Sequence, residues 1–306
     1  MSRAVRLHEY GDVDVLHVED VDPPIPRPGE VVVRVRAAGI NPGEAKIRTG
    51  ALHAMYPASF PSGQGSDLAG VVDAVADGVD AFAVGDEVLG WSDERSSQAE
   101  LVRVPAGQLT AKPPAVPWEV AGALFVAGAT AWATVRAVVL SEGDVVVVSG
   151  AAGGVGTITV QLARRAGAEV IGLAGERNHA WLRGHGVIPV TYGDGMQERI
   201  TAAAPGPVTA FIDLAGGPYV ELALALGVAP KRIDTIVDFG AVQAHGVKSE
   251  GNAQGASAAV LAELAALIAD GALEVPIAAT YPLDEVREAY TELERGHTRG
   301  KIVLVI

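Results

Sequence analysis

A run of glycines directly after a very apolar segment is the part of the sequence best suited to chemistry. Val145–Val148 are four consecutive valines, which indicates a strand buried on both faces. Gly150, Gly153, Gly154 and Gly156 follow, and the apolar residues beyond recur at helical spacing. A strand, a glycine turn and a helix together point backbone N–H groups and the positive end of a helix at a phosphate. The turn predicts phosphate binding, although its spacing differs from G-x-G-x-x-G and a packed turn without a ligand is the alternative.

In a dinucleotide-binding fold, the residue that contacts the ribose is expected about 20 residues beyond this turn, where the next strand ends. A carboxylate at this place would bond a ribose 2′-hydroxyl and repel a 2′-phosphate. Ala174 and Gly175 carry no carboxylate, whereas Arg177, together with His179, could pair with a 2′-phosphate. The pattern favours NADP over NAD. The alternatives are Glu176 turned toward the ribose and Arg177 as an ordinary solvated cation.

Composition restricts the chemistry further. The chain of 306 residues has no cysteine, which excludes disulfides, thiolate zinc sites and a cysteine nucleophile. Its seven histidines show no metal-ligand spacing, and neither a G-x-S-x-G elbow nor a G-x-x-x-x-G-K-[ST] loop is present. The formal net charge of -14 disfavours nucleic acid and anionic membranes as partners.

Length and hydrophobicity indicate a globular protein of roughly two domains. Charged residues interrupt the N-terminus, so no signal peptide is expected. Two uncharged runs, 120–135 and 145–163, are interpreted as buried core and not as membrane spans. The absence of cysteine is compatible with a cytoplasmic protein, which is the expected location.

The segments that position these residues are rich in strands first and alternate between helix and strand afterwards. Short strands between proline- and glycine-rich loops predict a compact β domain, and the alternation after Pro117 predicts a parallel sheet with right-handed crossovers. The predicted strands are 31–37, 69–75, 85–90, 99–104, 145–149, 169–173, 187–190, 208–214, 233–239 and 301–306. The predicted helices are 118–140 with a break at Gly128, 154–166, 178–183, 219–226, 258–269 and 284–294.

With these segments placed, the chain resembles the zinc-free branch of the medium-chain dehydrogenase/reductase superfamily, and within it the NADPH:quinone oxidoreductase, or zeta-crystallin-like, group. The resemblance covers nearly the whole chain. The motifs that carry it are AAGINP at 37–42, GSDLAGVV at 65–72, VGDEV at 84–88, ATAW at 129–132, AAGGVG at 151–156, FID at 211–213, PL at 282–283 with EAY at 288–290, and RGKIV at 299–303.

The resemblance implies an α/β protein with two domains. A GroES-like β-rich catalytic domain would comprise residues 1–120 and 273–306, and a Rossmann domain with a doubly wound parallel sheet would comprise 121–272. The cofactor, NADP, would lie in the cleft between them. A homodimer joined through the nucleotide-binding domains is also implied, with the apolar segment 233–239 as a candidate edge.

Roles in cofactor binding follow from the glycine turn, the Arg177 segment and the resemblance together. The glycine turn would meet the pyrophosphate, Tyr192 the adenosine end, and Asn41 and Thr130 the nicotinamide and its ribose. The alternatives are that Thr130 only packs its helix and that Phe239 is only core. The predicted cofactor-binding residues are Asn41, Thr130, Gly150, Ala152, Gly153, Gly154, Val155, Gly156, Gly175, Arg177, His179, Tyr192, Phe239 and Gly240.

The resemblance also implies the chemistry and its limits. Zinc-dependent relatives place ligands where this chain has Asn41 and Gln64-Gly65-Ser66, so no metal is expected. Hydride transfer from NADPH to a quinone would then proceed without metal, with Asn41, Lys46 and Tyr56 as catalytic candidates. Lys46 stands where many quinone reductases have a tyrosine, so a reductase of α,β-unsaturated ketones or aldehydes is an alternative. A catalytically silent NADPH-binding protein is another.

Overall fold

The computed structural model describes all residues from Met1 to Ile306, which form two compact units. The first unit contains Met1–Val126 and Ser257–Ile306, and the second contains Ala127–Ala256. The predicted division placed the boundaries after residues 120 and 272. The second boundary lies earlier in the structure because the helix Ala258–Ala269 packs on strands of the first unit.

Strands and helices occupy the following ranges. The strands are β1 Ser2–Leu7, β2 His17–Val21, β3 Glu30–Gly39, β4 Ser62–Gly63, β5 Asp67–Val75, β6 Glu87–Trp91, β7 Leu101–Pro105, β8 Leu109–Ala111, β9 Val145–Val148, β10 Glu169–Leu173, β11 Ile188–Val190, β12 Ala210–Asp213, β13 Ile233–Thr235, β14 Ile277–Pro282 and β15 Lys301–Val305. The helices are α1 Pro42–Arg48, α2 Trp118–Ala121, α3 Phe125–Ala137, α4 Gly154–Arg165, α5 His179–Gly184, α6 Met196–Ala203, α7 Tyr219–Ala225, α8 Phe239–His245, α9 Asn252–Gly255, α10 Ala258–Ala269 and α11 Val286–Glu294.

A seven-stranded sheet forms the frame of the first unit, and the C-terminal strand completes it. The strand order is β14-β15-β3-β5-β6-β8 with β7 also paired to β3, while β2-β1-β4 form a separate small sheet. β15 lies antiparallel to β3, with Leu304 opposite Ala38. In β3, Val33 and Val35 are buried while Arg34 and Arg36 are exposed, which is the alternation expected of a sheet covered on one face.

A five-stranded parallel sheet forms the centre of the second unit, in the order β11-β10-β9-β12-β13. β9 is its middle strand. Val146 and Val148 pack into the core on one face, with side chains of α3, α4 and α5, and Val145 and Val147 pack into the core on the other, with α6, α7 and α8. The sheet is therefore doubly wound, and the predicted burial of the four valines on both faces is confirmed.

The first predicted helix is interrupted at a different glycine from the one expected. Gly128 lies inside α3, and the break falls at Gly122–Leu124, between α2 and α3. A side chain at Gly122 would overlap the carbonyl oxygen of Ala37, so this glycine allows α2 to pack directly on β3. The expectation of a break at Gly128 was wrong because the decisive contact is with a distant strand.

The strand predicted at 233–239 is shorter than expected, since β13 ends at Thr235. The Thr235 hydroxyl accepts the N–H of Asp238 at 3.1 Å, and the Asp238 carboxylate accepts the N–H of Ala241 at 2.9 Å. These two hydrogen bonds turn the chain and cap α8. Phe239 therefore begins a helix.

Candidate functional site

The glycine turn after β9 has the local geometry that its sequence predicts. Gly150 has a positive φ of 59°, and Gly153 is the N-cap of α4. A side chain at Gly156 would overlap the carbonyl oxygen of Gly150. Glycine at this position therefore lets the helix begin directly against the turn, and the predicted strand, turn and helix are confirmed.

The first turn of α4 presents backbone donors that the chain itself does not cap. Gly153 offers no side chain for capping, so the N–H groups of Gly154, Val155 and Gly156 are not bonded by an N-cap side chain. The positive end of the helix dipole lies at the same place. A region with these properties binds an anion such as a pyrophosphate.

Beneath this turn, a buried polar cluster ties three strand ends together. The Asp213 carboxylate, at the end of β12, accepts the hydroxyl of Ser149 at 2.7 Å and the hydroxyl of Thr235 at 2.8 Å. It also accepts the N–H of Gly216 at 3.0 Å. The ends of β9, β12 and β13 are thereby fixed relative to one another. The sequence identified Asp213 only as part of a motif. The polar cluster could have been predicted from the serine or threonine at the end of each neighbouring strand.

Predicted residues after β10 and β11 meet at one corner of the same edge. A Cβ at Gly175 would lie 3.7 Å from the Tyr192 hydroxyl, so the space above Gly175 faces that ring. The imidazole Nε2 of His179 lies 3.1 Å from the carbonyl oxygen of Ala174. Tyr192 is 48% exposed, and Arg177 is exposed as well. The structure thus brings Gly175, His179 and Tyr192 together.

The remaining predicted residues of the second unit lie in two different environments. Phe239 and Gly240 begin α8 beyond the end of β13, and the Phe239 ring is 48% exposed. Since parallel strands end at one edge, these residues share an edge with the glycine turn. Thr130 is buried in α3.

In the first unit, Asn41 is buried and its side chain is fully engaged. Its Nδ2 donates to Glu44 Oε1 at 3.1 Å and to Asp67 Oδ2 at 3.2 Å. Its Oδ1 accepts from the ammonium group of Lys301. Asn41 is also the N-cap of α1, so this network fixes where the helix begins.

Lys301 and Asp67 form a buried ion pair at the centre of this network. Lys301 Nζ lies 3.2 Å from Asp67 Oδ2 and also donates to the carbonyl oxygen of Ile40 at 3.1 Å. Asp67 Oδ1 accepts the N–H of Val126 at 2.7 Å. Both charged groups are compensated by hydrogen bonds, as buried ions require. The sequence placed Lys301 and Asp67 in motifs but did not predict their pairing.

Glu44 extends the network to α11. Its carboxylate accepts the N–H of Ser66 at 2.9 Å and the hydroxyl of Tyr290 at 2.8 Å. Burial, reinforced by the charge of Asp67, raises the pKa of Glu44. Burial likewise raises the pKa of Tyr290 well above its usual value. The side-chain amide of Gln98 donates to the Tyr290 oxygen at 2.8 Å, which leaves the Tyr290 proton directed at Glu44.

The other two catalytic candidates lie outside this network. Lys46 is on the exposed side of α1, whereas Glu44, Ala45 and Arg48 form its buried side. Tyr56 is 46% exposed, and the guanidinium of Arg95 donates to its carbonyl oxygen at 3.5 Å. The structure does not bring Lys46 or Tyr56 into contact with the Asn41 amide.

Two further structural properties bear on function. No group of three or more histidine, aspartate or glutamate side chains in the chain is arranged to hold a metal ion. None of the helices is both long enough and apolar enough to cross a membrane.

Family models match most of the chain. The model described as "Zinc-binding dehydrogenase" matches residues 120–304, and the model described as "Alcohol dehydrogenase GroES-like domain" matches residues 27–114. A curated relative, the quinone oxidoreductase of Mus musculus, is 37% identical over 177 residues, which are 57% of this chain and 53% of the relative. The chain thus spans about half the length of the first curated relatives it matches.

Solved structures match over the full length. The quinone oxidoreductase from Coxiella burnetii has a TM-score of 0.89 at 28% identity, covering 100% of this chain and 99% of that chain. The quinone oxidoreductase of Escherichia coli, complexed with NADPH, has a TM-score of 0.86 at 25% identity, covering 99% of this chain and 100% of that chain. These likenesses confirm the predicted α/β fold with a GroES-like and a Rossmann-like domain.

Proposed function

Since the chain belongs to the zinc-binding dehydrogenase family, within the medium-chain dehydrogenase/reductase superfamily, we propose that it is an NADPH-dependent oxidoreductase that reduces a quinone-type acceptor without a metal ion. The observation that carries this proposal is the carboxyl-end edge of the parallel sheet. The uncapped donors of α4 and the corner formed by Gly175 and Tyr192 lie at that edge. Likeness to quinone oxidoreductases supports the acceptor class.

The residues at this edge fit a dinucleotide. The backbone N–H groups of Gly154, Val155 and Gly156 would bind the pyrophosphate, and the absence of a side chain at Gly153 leaves room for it. The Asp213 cluster would hold the strand ends at fixed spacing under the cofactor. Phe239 and Gly240 would lie on the nicotinamide side, with Thr130. A bound nicotinamide cofactor supplies the hydride.

The preference for NADP rests on the end of β10. No carboxylate is present at Ala174 or Gly175, and an arginine follows at 177, where it is exposed. A guanidinium at this place suits a 2′-phosphate. Tyr192 and His179 border the same corner and would enclose the adenosine end. The complex of Escherichia coli quinone oxidoreductase with NADPH supports this assignment.

The absence of a metal requirement is proposed from the donor set in the first unit. Zinc is held by thiolate, imidazole and carboxylate ligands whose donor atoms are free to bind the metal. Here Asn41 Oδ1 and Asp67 Oδ2 already accept from the Lys301 ammonium, and Glu44 already accepts from Tyr290 and two backbone N–H groups. These oxygens are therefore satisfied by protons of the chain itself, and they do not fit a zinc site.

The role of each catalytic candidate is assigned from whether its side chain is buried or exposed to solvent. The Asn41 amide is bound on both sides within the first unit, so we assign Asn41 to holding the start of α1 in place. Lys46 and Tyr56 are exposed and able to contact an acceptor and to donate the proton that its reduction requires. Orientation of the acceptor in a dry site would supply most of the rate enhancement.

A panel of electron acceptors with NADPH tests the proposed reaction. We expect turnover of 1,4-quinones that is unchanged by a metal chelator and by added zinc. Turnover of 2-alkenals or α,β-unsaturated ketones with none of quinones would assign the chain to the double-bond reductases. NADPH binding with no oxidation across the whole panel would identify a catalytically silent protein.

The remaining assignments concern the molecule as a whole. We propose that the first unit is the catalytic domain and the second the nucleotide-binding domain, and that the protein is a cytoplasmic homodimer. Light scattering should then give twice the chain mass of 31.3 kDa. A mass of one chain would exclude the dimer without affecting the proposed activity.

A further inference from the structure

A groove of about 470 Å³ lies on the first unit, and none of the residues assigned to the cofactor lines it. Most of the residues that line it belong to β1 and to the segments 57–63 and 94–103. Its volume is within the range of sites that hold small organic molecules. Three arginines line it, namely Arg6, Arg95 and Arg103, with two acidic residues, Asp22 and Glu94.

Arg6 supplies an uncompensated charge at this groove. Val5 and Leu7 of β1 point into the apolar core, while Ala4 and Arg6 alternate onto the groove face. Arg6 lies opposite Gly63 of β4, and its Nη1 is 3.2 Å from the place that a Cβ at Gly63 would occupy. The absence of a side chain at Gly63 therefore leaves room for the guanidinium, which forms no ion pair with any carboxylate of the chain.

Arg95 supplies a second guanidinium without a carboxylate partner. Its Nη2 donates to the carbonyl oxygen of Pro57 at 3.0 Å, which attaches the segment 94–103 to the segment 57–63. Arg95 has a φ of 54°, in the left-handed region that non-glycine residues rarely occupy. Backbone strain of this kind persists where the surrounding structure holds it, and it concentrates at functional sites.

Arg103 provides the contrast. Its Nε lies 3.1 Å from Glu30 Oε2, and its Nη2 lies 3.2 Å from Glu94 Oε1. Its charge is therefore already neutralised, since this one guanidinium is paired with two carboxylates. Apart from these paired groups, the charges on the groove are two guanidiniums and the exposed carboxylate of Asp22.

We propose that this groove is a binding site for a small organic anion, a carboxylate attached to an apolar body. The guanidinium of Arg6 offers the paired N–H donors that match a carboxylate. Arg95, whose Nη atoms also donate to the carbonyl oxygens of Tyr56 and Pro57, adds a second positive charge. Val21, Pro24, Pro61 and Leu101 supply apolar walls for the body of the ligand. The site is independent of the proposed NADPH site, because none of the residues assigned to the cofactor lines it.

Benzoate is a suitable probe, and benzamide is its neutral counterpart of the same shape. Isothermal titration of the full-length protein should show saturable binding of benzoate and at least tenfold weaker binding of benzamide. Arg6→Gln should weaken benzoate binding at least tenfold, because a hydrogen bond to a charged group is lost. Arg103→Gln is the matched control, because it removes from the same groove a guanidinium that is already paired with carboxylates. The affinity of this variant for benzoate should remain within about threefold of the original.

The result that would overturn the proposal is equal binding of benzoate by the original protein and the Arg6→Gln variant, or no saturable binding at all. Equal affinity for benzoate and benzamide would also overturn it. Circular dichroism of each variant establishes whether it is folded. If Arg6→Gln does not fold, Arg95→Gln provides a second test. Because the titration contains no NADPH, its outcome is independent of whether the protein oxidises NADPH.

Discussion

Arg177 is the single residue on which the proposed cofactor preference depends. It follows β10 at an exposed position, and Ala174 and Gly175 just after the end of that strand carry no carboxylate. Replacing it with alanine should weaken NADPH binding roughly ten- to a hundredfold, because hydrogen bonds to charged groups contribute about 1.5–3 kcal/mol. Binding of NADH, which lacks the 2′-phosphate, should be unchanged. Titration of each cofactor by fluorescence measures both affinities.

Arg183 offers a matched control for this substitution. It is an exposed arginine in α5, a few residues further along the chain. Arg183→Ala removes the same charge from the protein and should leave both affinities unchanged. Equal loss of NADPH and NADH affinity in Arg177→Ala, or equal affinities of the original protein for the two cofactors, would contradict the 2′-phosphate assignment.

Gly156 tests the role of the glycine turn. An alanine here would overlap the carbonyl oxygen of Gly150, so the start of α4 must move. Overpacking of this kind costs about 1–3 kcal/mol in the free energy of unfolding, and displacement of the helix N-terminus should also weaken NADPH binding. Urea unfolding and cofactor titration measure the two effects.

Gly184 is the control for that substitution. It ends α5, and a Cβ there would meet no atom within 4 Å. Gly184→Ala should therefore leave the unfolding midpoint unchanged or raise it slightly, since alanine favours helix. If Gly156→Ala unfolded at the original midpoint and bound NADPH as well as before, the turn would not have the close packing described.

The part of the site that could be predicted consists of residues that are close together in the sequence. The glycine turn is recognisable because the strand, the turn and the helix are contiguous. The buried network was not predictable, because its members are far apart along the chain. Asn41 bonds Asp67 across 26 positions, and Lys301 bonds Asp67 across 234. No periodicity encodes such a pairing, which arises only when β15 joins β3 in one sheet.

At the scale of secondary-structure elements, β13 carries a titratable group that links pH to stability. Asp234 is buried, and its Oδ1 accepts the N–H of Glu250 at 2.8 Å, while Oδ2 has no partner. Burial raises the pKa of Asp234 to about 7, with the charges of Glu250 and Asp213 adding to the rise and Lys248 opposing it.

The sign of the effect follows from the direction of this shift. Above pH about 4 an unfolded aspartate is ionised, whereas Asp234 in the folded protein keeps its proton up to pH about 7. The folded state therefore binds more protons in this window, and the contribution of Asp234 to stability falls as the pH rises from about 4 to about 7. The contribution should be about 1–4 kcal/mol.

Asp234→Asn tests this dependence, since asparagine keeps the oxygen that accepts from Glu250 and does not ionise. The variant should gain stability relative to the original protein at pH 8 and show little difference at pH 5. Urea unfolding at both pH values gives the comparison. Parallel pH profiles for the two proteins would show that Asp234 is not protonated in the folded state.

Two element boundaries were predicted wrongly from the sequence, and both depend on contacts that a local sequence pattern does not show. The strand positions followed from β-branched runs between turn residues, and most were confirmed. The break between α2 and α3 was misplaced because Gly122 is required by contact with Ala37 of β3. The end of β13 was misplaced because the hydroxyl of Thr235 turns the chain toward α8, which the apolar pattern does not show.

At the scale of the whole molecule, the first unit depends on both ends of the chain. β15 lies between β14 and β3, and Ile302, Val303 and Leu304 are buried. Burying one large aliphatic side chain contributes about 1.5–3 kcal/mol, so these three account for a large part of the stability of a typical domain, about 5–15 kcal/mol. Deletion of residues 301–306 should therefore unfold the first unit.

Hydrogen exchange distinguishes this outcome from general unfolding. The sheet β11-β10-β9-β12-β13 contains no residue of the deleted segment, so its amides should stay protected while those of β3 and β5 become exposed to exchange. Val305→Ala is the control, because that side chain is 41% exposed and the variant keeps Lys301 paired with Asp67. Loss of protection in both sheets would show that the two units fold as one cooperative system.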